Sequence, residues 1–246
     1  MAEHLLQDAK KQATETQKST IVSFISFDSQ CEDIMRDCDL LTEEIPDRLI
    51  IVDKLKPRGS TRFNDTLIEE IEKLEKKKND YLSSLAPAVK KLNPDVAIVL
   101  IAITDGQDNF SENGRCAAKE KMISFRKNGG RAILMAANMN AEIIGEKYGF
   151  NPEKSITVHN SNEQAIESCY RAVSTMARNL SLGVDVAFTP VERASSQAIP
   201  VGFLAAVNSD DEDEDDDFLQ APLTPNTITQ MPGFLNLAPG NNWALS

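Results

Sequence analysis

Asp105 is the residue of this chain best placed to do chemistry. It closes the run Val96-Ala-Ile-Val-Leu-Ile-Ala-Ile-Thr-Asp-Gly-Gln-Asp-Asn109, where an unbroken apolar stretch gives way to an acidic turn containing glycine. A strand apolar at every position is buried on both faces, the condition of a central parallel strand in an α/β sheet. Ligand sites in open α/β sheets form at the carboxyl ends of such strands. A functional carboxylate is therefore expected at Asp105.

Other chemistries find little support in the residue types. There is no G-x-G-x-x-G, no Walker lysine motif and no G-x-S-x-G. A hydrolase needs a nucleophile, a base and an oxyanion site that converge, and only Asp105 is suitably placed. Cys31, Cys38, Cys116 and Cys169 show neither C-x-x-C pairing nor zinc spacing, so they read as reduced, structural thiols. His4 and His159 lie far apart without evident partners.

Composition narrows the partners. The net charge is −12, and Asp210–Asp217 alone supplies eight acidic residues, so the rest of the chain is only mildly acidic. No basic patch points to direct nucleic-acid binding. No apolar run reaches the roughly 18 residues of a membrane span, and the first residues lack the basic and apolar regions of a signal peptide. An intracellular, cytoplasmic protein is expected.

The elements that must position Asp105 alternate. Residues 3–17 read as a helix, and Thr20-Ile-Val-Ser-Phe-Ile-Ser-Phe27 as a β-branched and aromatic strand. Residues 31–37 and 48–53 are candidate short strands. A long helical stretch follows Pro57 and Gly59, with Leu67, Ile68, Ile71 and Leu74 at helical spacing, then Tyr81, Leu82, Leu85, Val89 and Leu92; Pro87 kinks or breaks it. After strand 96–103 come a helix at 112–127 closed by Gly129-Gly130, a strand at Arg131–Ala137, a short helix from Ala141 to Tyr148 ended by Gly149, and a strand at Ser155–Val158. Ser161 is expected to cap a last helix, with Gln164 at the capping-box position and Ile166, Cys169, Tyr170, Val173, Met176, Ala177 and Leu180 on one apolar face. This alternation predicts an α/β fold, a doubly wound, mostly parallel sheet flanked by helices over residues 1–183.

Beyond Gly183 the composition changes. Residues 184–246 carry one basic residue, Arg193, several prolines and the acidic run, which predicts a disordered acidic tail. Three apolar islands interrupt it: Phe218-Leu219, Met231 to Leu237, and Trp243 to Leu245. They read either as part of a solubilising appendage or as docking motifs for a partner's groove. Ser209, ahead of Asp210-Asp211-Glu212, resembles an acidophilic kinase site.

Taken in order, several motifs resemble the von Willebrand factor A (VWA) family, in particular its intracellular, bacterial-type members. They are S-F-I-S-F-D at 23–28, Pro57-Arg-Gly-Ser-Thr61 followed by Asn64-Asp-Thr-Leu67, and I-T-D-G-Q-D-N-F-S at 103–111. K-N-G-G-R-A-I-L-M-A-A-N-M-N-A at 127–141 and I-I-G-E-K-Y-G-F at 143–150 complete the set, and the similarity spans residues 3–182. The resemblance implies a metal-ion-dependent adhesion site. Thr61 matches its threonine and Asp105 the aspartate of its T-D-G turn, so these two residues would contribute a hydroxyl and a carboxylate to a hard cation such as Mg²⁺ or Mn²⁺. The family's D-x-S-x-S turn occurs nowhere in this sequence, so the metal site is incomplete and binding is expected to be weak. The alternative is that Thr61 and Asp105 only make turns, Thr61 capping the helix that follows.

The same comparison implies that the chain starts within the helix that should follow D-x-S-x-S. Met1 would then be an internal start or the edge of a truncation. The absent first strand is normally central, between the strands resembling 20–27 and 96–103. The gap would close by direct pairing of those two strands or by a strand from another chain. The leading functional expectation is a non-catalytic protein–protein interaction module. It would contact a protein partner through the top of its sheet, and through the tail where the islands dock. The alternatives are a metal-dependent, hydrolase-type α/β enzyme or a truncated structural relative without independent activity.

Overall fold

The structure, a computed structural model, describes residues 2–46, 51, 60–92, 94, 96–105, 108–160, 162–198 and 233–239. Six strands form one mixed sheet: β1 (Thr20–Phe27), β2 (Cys31–Asp39), β3 (Ile98–Thr104), β4 (Gly130–Ala137), β5 (Ser155–Val158) and β6 (Gly233–Pro239). Their order across the sheet is β2-β1-β6-β3-β4-β5. Only β3, β4 and β5 pair in parallel, while β2 and β6 run antiparallel to their neighbours. The expected mostly parallel sheet is thus a parallel three-stranded half joined to an antiparallel half.

Alternation along the strands divides the core. Val22 and Phe24 of β1 and Val99 and Ile101 of β3 pack with Leu5, Leu6 and Ala13 of α1 (Ala2–Thr16) and with Cys169, Val173 and Leu180 of the late helix Glu163–Ser181. Ile25, Leu100 and Ala102 pack on the other side, with Leu67, Ile71 and Leu74 of α2 (Phe63–Ser84) and Met122 and Phe125 of the helix Arg115–Lys127. Strand β3 is buried along its length, as its continuous apolar run requires.

Several local expectations are refined. The helical stretch breaks at Pro87: α2 stops at Ser84, and α3 (Pro87–Lys90) restarts with proline in its first turn. Burial on α2 stops at Leu74; Tyr81, Leu82, Leu85 and Val89 of the second apolar stripe are only half-buried, and Leu92 beyond α3 is exposed. Helix α4 (Arg115–Lys127) is followed by Gly129 at φ 83, the left-handed stop that glycine accepts without strain. Helix α5 (Ala141–Lys147) ends the same way at Gly149, φ 79, where an added Cβ would come within 2.9 Å of the Lys119 carbonyl. Helix α6 (Glu163–Ser181) is capped by Asn162, whose side chain accepts from the Gln164 and Ala165 N–H groups; Ser161 lies outside the described residues. So does the candidate strand 48–53 apart from Ile51, which is helical and buried.

Ordered structure does not end at 183. Helix α7 (Pro190–Ser196) carries a capping box between Thr189 and Glu192, and Phe188 before it is buried. Arg193, the single basic residue of this region, donates to the Ser155 and Pro152 carbonyls at 2.8 and 3.0 Å, with its guanidinium 5.8 Å from the Phe188 ring centroid. Ser196 donates to the Thr157 carbonyl at 2.7 Å. A seven-residue helix had no sustained periodicity to announce it; satisfied caps and a single buried aromatic hold it. The island Met231 to Leu237 overlaps β6, an interior strand rather than part of a tail. The acidic run lies outside the described residues. Among the described residues, no helix is long and apolar enough to cross a membrane.

Candidate functional site

The carboxyl ends of β1 and β3 face the same side of the sheet as the N-terminus of α2. β1 ends at Asp28, which is buried; its carboxylate accepts from the Gln30 N–H at 2.8 Å and its carbonyl from the Arg62 N–H at 2.9 Å. The hairpin turn thus anchors the chain just ahead of α2.

Thr61 sits in that approach. Its N–H donates to Asn109 Oδ1 at 2.7 Å, and its carbonyl accepts from the Asn109 and Phe110 N–H groups at 3.0 and 3.2 Å. The backbone of Thr61 is therefore pinned to the loop that follows β3. Thr61 is not the cap of α2: Arg62 holds the cap position and makes no side-chain cap bond.

The cap is supplied across the sheet instead. Asp108 Oδ2 accepts from the Asn64 N–H at 2.8 Å, and Ser111 Oγ accepts from the Asp65 N–H at 3.1 Å. Asp65 returns the favour, accepting from the Glu112 and Asn113 N–H groups at 2.9 Å each and from Asn113 Nδ2 at 2.8 Å. Burial alone would raise the Asp65 carboxyl, but these donors and Arg62 outweigh it and hold the carboxyl below its ordinary value. Asp108 also accepts from its own turn, from the Ser111 N–H at 3.1 Å and the Ser111 hydroxyl at 2.5 Å. Both carboxylates are committed to structure. Beneath them the Phe27 and Phe63 rings lie 5.8 Å apart, and Tyr148 meets Phe63 edge-on at 4.8 Å.

Asp105 differs from its neighbours. It is half-buried, and burial raises its carboxyl above its ordinary value; the hydrogen bond from its own backbone N–H offsets only part of that. Phe110 is 55% exposed on the same loop. Asn64 Oδ1 is buried without a hydrogen-bond donor.

Strand β6 separates the two halves of this face. It lies between β1 and β3, so the strand ends carrying Asp28 and Asp105 stand roughly 10 Å apart, two strand spacings. Gly233, the first residue of β6, pairs with Ser26 on one side and Ile103 on the other, at the level of the site.

A divalent cation fits this donor set poorly. Mg²⁺ and Mn²⁺ want an octahedron of oxygens. The Asp65 and Asp108 carboxylates are already occupied by protein donors, which leaves the Thr61 hydroxyl and Asp105. Among the described residues, no three His, Cys, Asp or Glu side chains converge as a ligand set.

The Asp65, Asp108, Ser111 and Asn113 network was the part missed from the sequence. Its signal, a cluster of Asp, Asn and Ser after T-D-G, is strong turn chemistry. Its partners, however, lie more than 40 residues away in the chain, beyond any local pattern. Comparison with protein-family models, curated proteins and solved structures finds no match to this chain.

Proposed function

We propose that this chain is a non-catalytic protein-binding module resembling a VWA domain, and that it meets its partner with residues 60–62, Asp105 and 108–113. The observation that carries the reading is Asp105, a carboxylate held in partial burial at the end of an interior strand while Asp65 and Asp108 beside it are consumed by backbone donors. A desolvated carboxylate costs stability and is a candidate for recognition rather than support. Exposed Phe110, five residues on in the loop after β3, offers an apolar side chain of the kind that anchors interfaces. Reciprocal hydrogen bonds pre-organise the surrounding loops, which reduces the entropy lost on association.

The partner is a protein that offers a cationic or N–H donor group to Asp105. Any Mg²⁺ or Mn²⁺ at Thr61 and Asp105 binds weakly and is an accessory to that contact. The free cysteines suit a reducing, intracellular setting.

The test uses the full chain as bait, with Asp105→Ala and Phe110→Ala beside it, in cross-linking from the source cytosol. A protein captured by the parent and lost with both variants, at unchanged melting temperature, supports the reading. Capture indifferent to both substitutions, or turnover abolished by Asp105→Ala, overturns it.

A further inference from the structure

The place of β6 in the sheet carries an inference independent of the reading above. β6 pairs from Thr20↔Pro239 to Ser26↔Gly233 along β1, and from Val99↔Leu237 to Ile103↔Gly233 along β3. It is antiparallel to both. Every other described element belongs to residues 2–198, and β6 reaches its position only through residues 199–232. Among the described residues, no helix or strand follows it in the chain. Without it, β1 and β3 would turn two facing ladders of backbone N–H and C=O groups toward a gap one strand wide. The strands that border the gap are packed on both sides of the sheet, by Val22, Phe24, Val99 and Ile101 on one side and by Ile25, Leu100 and Ala102 on the other. The gap is shaped for one extended peptide and little else.

We propose that the gap between β1 and β3 is a strand-accepting slot, and that residues 233–239 are its built-in, exchangeable occupant. The ligand class is an extended peptide with glycine at the end beside Ser26 and Ile103, apolar residue types on either side of a central asparagine, and proline at the end beside Thr20. Main-chain pairing on two sides supplies the affinity, as in strand addition generally, here doubled because the slot has two edges. Proline is tolerated at the terminal position because a strand end need not donate to the ladder. The occupant comes from the same chain rather than a second copy. Chain connection keeps it at high effective concentration, whereas the acidic run Asp210–Asp217 in each connector repels that of another molecule. Because Gly233 lies at the level of the candidate site, exchange of the strand acts directly on the spacing between the ends of β1 and β3.

The experiment places a protease site between Asp213 and Glu214 of the full chain, cleaves it, and adds a labelled synthetic peptide of residues 231–240. The expected result is that the C-terminal fragment co-elutes with the rest, and that the labelled peptide displaces it at least tenfold better than the same peptide carrying Leu235→Pro and Leu237→Pro. In the uncut chain, amides of 233–239 are expected to exchange at least tenfold faster than those of β4, since the occupant leaves without global unfolding. A fragment that departs while β1 and β3 amides stay protected overturns the slot. Equal binding of the proline peptide overturns pairing as its basis. A dimer of the uncut chain at micromolar concentration overturns the assignment of the occupant to the same chain. Should cleavage unfold the protein, exchange in the uncut chain decides: β6 amides as slow as those of β4 mean an integral strand and overturn exchangeability.

Discussion

Thr61 and Asn109 hold each other through a two-way clamp: the Thr61 N–H donates to Asn109 Oδ1 at 2.7 Å, and the Asn109 N–H donates to the Thr61 carbonyl at 3.0 Å. The clamp ties the approach to α2 to the loop after β3, across the position of β6. It uses the backbone of Thr61, so the hydroxyl is not needed for it. Asn109→Ala removes one bond and leaves the Thr61 N–H seeking water. A loss of about 1 kcal/mol is expected in denaturant unfolding, with Thr61→Ala below about 0.5 kcal/mol. The reverse ranking would assign the hydroxyl a structural partner.

Asp65 is the most heavily hydrogen-bonded carboxylate of the site, so Asp65→Ala should cost about 2–4 kcal/mol by leaving Glu112 and Asn113 donors unsatisfied. Its folded-state carboxyl lies below the ordinary value of 3.8. The unfolded chain therefore binds the proton more readily, and the stabilisation is complete above that value. It is lost as the pH falls through the lowered folded value. Acid titration of Asp65→Asn should show a shallower decline in stability below about pH 4; an unchanged slope would assign the acid sensitivity elsewhere.

For Asp105 the sign is opposite. Its folded carboxyl is raised, so the folded state holds the proton to higher pH, and stability falls as the pH rises from the ordinary 3.8 through the raised value. Asp105→Asn should then be neutral to slightly stabilising at pH 7, by less than about 1 kcal/mol because the group is partly solvated. Destabilisation at pH 7 would mean that the charge is satisfied within the fold.

Titration calorimetry with Mg²⁺ and Mn²⁺ should reveal no tight site, since one available carboxylate and a hydroxyl leave most of an octahedral shell to water. Micromolar binding lost on Asp105→Ala would show that further ligands complete the shell.

Away from the site, Glu70 is fully buried and takes a bidentate bond from Arg36 of β2, at 2.8 and 3.1 Å, together with Lys73 at 2.7 Å. Glu70→Ala should cost about 3 kcal/mol in thermal or denaturant unfolding, because Arg36 loses its buried partner and keeps the half-exposed Asp33. A loss under about 1 kcal/mol would mean that Arg36 re-solvates freely.

Local chemistry was enough to determine much of this protein. The unbroken apolar run at 96–103 required an interior strand, and β3 is one. Helical periodicity placed α1, α2 and α6, and Gly129 and Gly149 marked left-handed stops, because these features depend on neighbours a few residues apart. The position of Asp105 at a strand end was legible for the same reason.

The tertiary structure decided what depends on residues distant in sequence. Asp65 and Asp108 are ordinary turn residues until the fold sets each against backbone donors more than 40 positions away. Phe188 and Arg193 look like isolated side chains until β5 and the turn before it supply a surface for them. Above all, the short apolar island Met231 to Leu237, which β6 overlaps, has a length and composition that fit a docking motif as well as a strand. Pairing on both edges with β1 and β3 makes it an interior strand, and pairing is a property of the surface presented to it. Backbone hydrogen bonding is nearly blind to residue type, so no pattern within 233–239 could name its neighbours.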